Sequence, residues 1–84
     1  MVFPDIHPLR PIHLLIVPKK HIKDFLELED DEILKSVRSA IQKMIIEKNL
    51  DKNGFRITVN GGGAQIIDHL HFHLTGPVRK TDKM

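Results

Sequence analysis

The chain has 84 residues, of which 40% are hydrophobic and 29% charged, with a formal net charge of +2 and no cysteine. A single domain over residues 1–84 is the natural division, and without thiols neither disulfides nor thiolate zinc sites are open to it. The weak, dispersed charge leaves no footprint for specific nucleic-acid binding, and no apolar run reaches the length of a membrane span.

Met1-Val2-Phe3-Pro4-Asp5 has no basic region followed by an apolar stretch. It does not read as a secretory signal, and the expected location is the cytoplasm. Residues 7–12 hold Pro8 and Pro11 and suit a loop, because proline removes a ladder donor and restricts its predecessor. His13-Leu14-Leu15-Ile16-Val17 is a short apolar run closed by Pro18, the pattern of a buried strand. Lys19 to Phe25 reads as a turn or short helix.

From Asp30 to Lys48 the pattern is helical. Ile33, Leu34, Val37, Ala40, Ile41, Met44 and Ile45 fall on one stripe at period 3.6. Glu29, Asp30, Asp31 and Glu32 crowd the end where the helix dipole favours anions, and Asn49 suits the position just past the helix. Asp51-Lys52-Asn53-Gly54 is a turn. Phe55 to Val59 alternates apolar and polar, as a strand with one buried face does. After the flexible Asn60 to Ala64, residues Ile66 to Leu74 read as another strand, closed by Gly76-Pro77. The two strands imply an antiparallel hairpin. The fold class is α+β: a small antiparallel sheet of about four strands with one long helix packed across it. Residues 1–2 and 78–84 are expected to fray.

Three of the six histidines stand within five positions, at His69, His71 and His73. On a strand, side chains at i, i+2 and i+4 share a face, with Cα atoms about 6–7 Å apart. Leu70, Phe72 and Leu74 then belong to the core, and strand parity puts Asp68 opposite the histidines. Packing gives no reason for three imidazoles in a row. Imidazole titrates near neutrality and is a good nucleophile toward phosphorus. A central histidine flanked by two more supplies a nucleophile, a group that fixes its tautomer, and a donor for developing charge. A metal site is the weaker reading: three histidines on one flat strand do not converge on a tetrahedral centre, and no cysteine completes a set.

His69-Leu70-His71-Phe72-His73-Leu74 resembles the signature of the histidine triad superfamily, His-φ-His-φ-His-φ-φ with φ apolar; Thr75 departs from it at the last position. Phe3-Pro4-Asp5-Ile6 resembles the family strand that ends in an acidic residue. His13 to Ile22 resembles its second conserved segment, and Gly54 to Asn60 its penultimate strand. The resemblance implies a nucleotide hydrolase or transferase that attacks an α-phosphate through a covalent nucleotidyl-histidine. It implies His71 as the nucleophile, His73 at the α-phosphate or bridging atom, and His69 and His13 as supporting groups. Asp5 would hold the ribose hydroxyls; Phe3, Ile6 and Leu15 would line the base pocket; Asn60 and Gln65 would sit near the phosphate and leaving group. The expected ligand is a purine nucleotide of the AMP type, with nucleoside phosphoramidates as favoured substrates and dinucleoside polyphosphates, or binding with little turnover, as alternatives. No metal or cofactor is expected, and a homodimer is. Many relatives carry Ser or Thr where this chain has Ile66, and a further helix and strand before the segment that begins at Phe3. His7 reads as a surface residue and His21 as a structural one near the strand end.

Overall fold

The computed structural model describes residues 1–5 and 10–82. The chain runs through β1 (Val2–Pro4), β2 (Ile12–Ile16), a 3₁₀ turn (Phe25–Glu27), α1 (Asp31–Glu47), α2 (Leu50–Asn53), β3 (Arg56–Val59) and β4 (Phe72–Gly76). The strands form one antiparallel sheet in the order β1-β2-β4-β3. This is the α+β arrangement expected of the sequence, with four strands and one long helix.

The helix begins where the acidic cluster implies. Asp30 caps it, its Oδ1 accepting from the backbone N–H of Glu32 at 2.9 Å and of Ile33 at 3.4 Å, which satisfies two of the four donors a helix start leaves open. Past its end, Asn49 takes a left-handed conformation at φ 58°, a geometry asparagine tolerates well. The turn expected at Asp51–Gly54 closes instead as the short helix α2, which buries Leu50 almost completely.

Val37, Ile41 and Ile45 of α1 enter the core with Ile16 of β2, Phe72 and Leu74 of β4, and Leu50, Ile22 and Leu70. Gly54 admits no side chain, since a Cβ there would collide with the Val78 carbonyl and its φ is +88°. Hydrogen bonds reach Met1 and Asp82, the first and last described residues. Met1 exchanges backbone bonds with Val17, and Asp82 binds Arg10 at 3.1 Å and the Arg79 backbone N–H at 2.7 Å. No helix of the described residues is long and apolar enough to cross a membrane.

The last strand is shorter than the sequence pattern suggests. Residues 66–69 bend, and ladder pairing starts only at Phe72, opposite Ile16 and Val59. The reason lies in the neighbours. Strand β2 runs out one residue before Val17-Pro18, and Pro18 has no N–H to offer. Strand β3 ends at Val59, before the glycine turn. A segment with no partner strand cannot stay extended at low cost, because its backbone groups go unpaired. The backbone finds other bonds: Leu70 N–H donates to Ile22 O at 2.6 Å. The hairpin of β3 and β4 is present, but its connection is the long segment 60–71.

Candidate active site

The register sorts the sheet into two faces. Phe3 pairs with Leu15, Leu15 with His73, and His73 with Thr58. The next row on the same face holds Asp5, whose N–H donates to His13 O, then His13 opposite Thr75 and Thr75 opposite Arg56. The alternate residues Ile16, Phe72 and Leu74 face the helix. Strand alternation therefore presents Phe3, Asp5, His13, Leu15 and His73 together on the face away from the helix.

Two of those rows meet in a hydrogen-bonded chain. His13 is buried, and its Nε2 lies 2.8 Å from His73 Nδ1 and 3.4 Å from Asp5 Oδ2. A carboxylate only accepts, so the proton belongs on His13 Nε2. His73 Nδ1 then accepts, and the His73 proton sits on Nε2, pointing outward from the chain. Burial holds the His73 imidazole below its ordinary value, helped by the neighbouring rings of His71 and His13 and opposed by Asp5. A neutral His73 near pH 7 is the result.

His71 precedes β4 but stays with its neighbour: the rings of His71 and His73 are 5.0 Å apart. Its Nδ1 lies 2.8 Å from the His69 carbonyl. Since a carbonyl accepts, Nδ1 carries a proton, and Nε2 is the nitrogen of this ring that can offer a lone pair. This is the tautomer that a nucleophilic imidazole requires.

His69 does not join the row. The bend before β4 breaks the two-residue alternation, so the parity that put three histidines on one strand face, with Asp68 opposite, fails there. The His69 ring meets His21 at 5.2 Å, and its Nε2 donates to Pro18 O at 3.1 Å. His69 serves His71 through its backbone carbonyl rather than through its ring. His21, read as structural, is exposed and meets that ring edge-on.

The other expected residues are spread around this core. Phe3 is 42% exposed and Leu15 half-buried, side by side on the histidine face. Asn60 is exposed just past β3. Gln65 donates from Nε2 to Lys23 O at 2.9 Å, while its Oε1 is enclosed with no protein partner among the described residues. Ile66 is fully exposed. Ile6 and His7 lie outside the described residues.

Asp24 was missed by sequence reasoning. It is buried, its Oδ1 accepts from Leu26 N–H at 3.1 Å, and its Oδ2 accepts from Gly62 N–H at 3.2 Å. It thereby fastens the 60–71 segment that carries His69 and His71. An aspartate just before a short apolar run is a capping signal; its reach across to Gly62 has no local signature.

Comparison with known proteins places the chain in a family. The sequence model of the family described as "scavenger mRNA decapping enzyme C-term binding" matches residues 1–84. An uncharacterized HIT-like protein of Chlamydia trachomatis is 38% identical over 79 residues, covering 90% of this chain and 71% of the relative. One from Methanocaldococcus jannaschii is 36% identical over 76 residues, covering 88% of this chain and 59% of the relative. A HIT family hydrolase of Legionella pneumophila superposes with a TM-score of 0.84 at 38% identity, covering 95% of this chain and 75% of that one. A histidine triad protein of Clostridium difficile gives 0.86 at 33% identity, covering 99% and 76%. With the family match running end to end and the run His69-Leu70-His71-Phe72-His73 placed at the site, the chain belongs to the histidine triad superfamily.

Proposed function

We propose that the chain is a nucleotide hydrolase or transferase that attacks the α-phosphate of nucleoside phosphoramidates or related nucleotide conjugates. The observation that carries this reading is the His71 Nδ1 bond to the His69 carbonyl. It fixes a proton on Nδ1, so the nitrogen that can attack is Nε2, beside a second imidazole whose Nε2 carries a proton. The naming of structural neighbours as HIT family hydrolases, and of one as a histidine triad nucleotide-binding protein, supports it.

In the first step His71 Nε2 bonds to the α-phosphorus and the bond to the leaving group breaks, its electron pair going with the leaving group. The Nε2–H of His73 donates to a phosphoryl oxygen or to the bridging atom, where charge grows. Water then attacks the phosphorus and releases a proton to solvent, and the His71–phosphorus bond breaks with its electron pair returning to Nε2. His13 and Asp5 hold His73 in the donating tautomer. In this reading Asp5 also meets the ribose hydroxyls, Phe3 and Leu15 contact the base, and Asn60 and Gln65 stand near the phosphate. Ile66 brings no hydroxyl to the leaving group.

We further propose that two copies pair through the β3 edge. A groove of about 340 Å³ runs between α1 and β3, lined by Leu34, Val37, Ile41, Phe55 and Ile57. Leu34 of α1, Phe55 just before β3 and Ile57 of β3 are each more than 40% exposed, and β3 is an edge of the sheet. Light scattering of the purified chain reads this directly, and a monomer at all concentrations contradicts it.

Incubation with adenosine 5′-phosphoramidate, followed by chromatography of released AMP, tests the activity. Turnover that depends on His71 is expected; a rate equal to that of His71→Ala overturns the reading.

A further inference from the structure

Asp5, His13 and His73 converge from three adjacent strands, and one ligand atom from each lies within 4.8 Å of the others. Two separations are tighter: His13 Nε2 is 2.8 Å from His73 Nδ1 and 3.4 Å from Asp5 Oδ2. Around a tetrahedral zinc-class ion, bonds of about 2.0–2.2 Å set neighbouring donors roughly 3.3 Å apart. The three atoms bracket that spacing, so shifts of about an ångström seat an ion between them. Two imidazoles and one carboxylate form a donor set suited to zinc, with a fourth position left open.

This convergence is not a property of the histidine run. Only His73 comes from that run. His71 has its Nδ1 committed to the His69 carbonyl, and the His69 ring is turned to Pro18 and His21. The set is made by strand pairing, which brings Asp5 and His13 beside one another and His13 beside His73.

We propose that Asp5, His13 and His73 bind a divalent ion of the zinc class, and that the bound ion competes with nucleotide. The bonds are simple to count. Asp5 offers an anionic oxygen, and His73 offers the Nδ1 lone pair that otherwise accepts from His13. His13 moves its ring proton from Nε2 to Nδ1 and offers Nε2. The hydrogen bond between the two imidazoles is exchanged for two metal bonds. An ion held on Asp5 Oδ2 draws away charge that would otherwise meet the ribose hydroxyls, so the ion raises the KM for nucleotide. The competition rests on the hydrolase reading; the binding does not.

Zn²⁺ alone is titrated into the whole chain against a chromophoric chelator, and Co²⁺ binding is followed by visible absorption. One ion per chain is expected, weakened at least about tenfold in Asp5→Asn and His73→Gln, with His71→Ala within about threefold of wild type. Wild-type affinity in both Asp5→Asn and His73→Gln, or an equal loss in His71→Ala, overturns the proposal. Nitrogen-15 spectra of the wild-type imidazoles remove any dependence on variant folding. Zn²⁺ should move His13 Nε2 and His73 Nδ1 and spare His71 Nδ1; the reverse pattern contradicts the site. Zinc binding without any hydrolysis overturns the hydrolase reading only. Hydrolysis without zinc binding overturns this proposal only. Stoichiometric zinc with an unchanged KM overturns the competition.

Discussion

Strand β4 turns two different surfaces to its two sides. Toward the helix it presents Phe72 and Leu74, both buried in the apolar core. Away from the helix it presents His73 and Thr75, in register with Leu15 and His13. The first side is held by area removed from water, a non-directional force that tolerates any well-fitting apolar shape. The second is held by directed bonds whose donors and acceptors must match one by one. A five-residue strand thus adds to the core on one side and, with His71 just before it, to the proposed chemistry on the other, and substitutions should separate the two.

The largest effect expected is on the chemical side. His71→Ala should lower the rate of AMP release on the order of 10³-fold or more, the scale for loss of a nucleophile, with a thermal midpoint within a few degrees of wild type. Steady-state kinetics and a melting curve check both halves; a collapse of stability would erase the division between the faces. Leu74→Ala should do the opposite. Leu74 is fully buried, so a cavity there costs about 2–5 kcal/mol, read in urea unfolding, while the KM of the surviving folded fraction stays unchanged. Asp5→Asn should fall between. It removes a charged partner from His13 and, on the proposed reading, from the ribose, an effect of about 10- to 100-fold for a bond to a charged group, and it should appear in KM more than in kcat.

A smaller effect follows from His73, which is held below its ordinary value by burial and by the adjacent His71 and His13. The unfolded chain takes up this proton near pH 6.5, and the folded chain only at lower pH. The stability from this group is therefore present above pH 6.5 and is lost as pH falls below it. His73→Gln should flatten that part of the stability profile measured from pH 7 to 5. An unchanged slope would show that His73 does not sense the burial the structure gives it.

Much of the packing side was legible in the sequence because its rules are local. The stripe from Ile33 to Ile45 shows the helix, the acidic cluster at Glu29 to Glu32 its start, and the run from His13 to Val17 a buried strand. The chemical side was legible in composition but not in placement. The His-φ-His-φ-His alternation predicts one straight strand, yet that strand begins only at Phe72. Whether residues 66–71 stay extended depends on where β2 and β3 end, which no local pattern records. The bond between His13 and His73 spans 60 positions and follows from strand order. The role of Asp24 is hidden for the same reason, since its partner Gly62 lies 38 positions away.

Direct observation of the covalent intermediate tests the central claim. Enzyme quenched in acid-free conditions during turnover of adenosine 5′-phosphoramidate should show a fraction of chains heavier by one adenylyl group in intact mass spectrometry. Proteolytic mapping should place that group on His71. An adduct on His73 or His69, or rapid turnover by the His71→Ala variant, would contradict the assignment of His71 as the nucleophile.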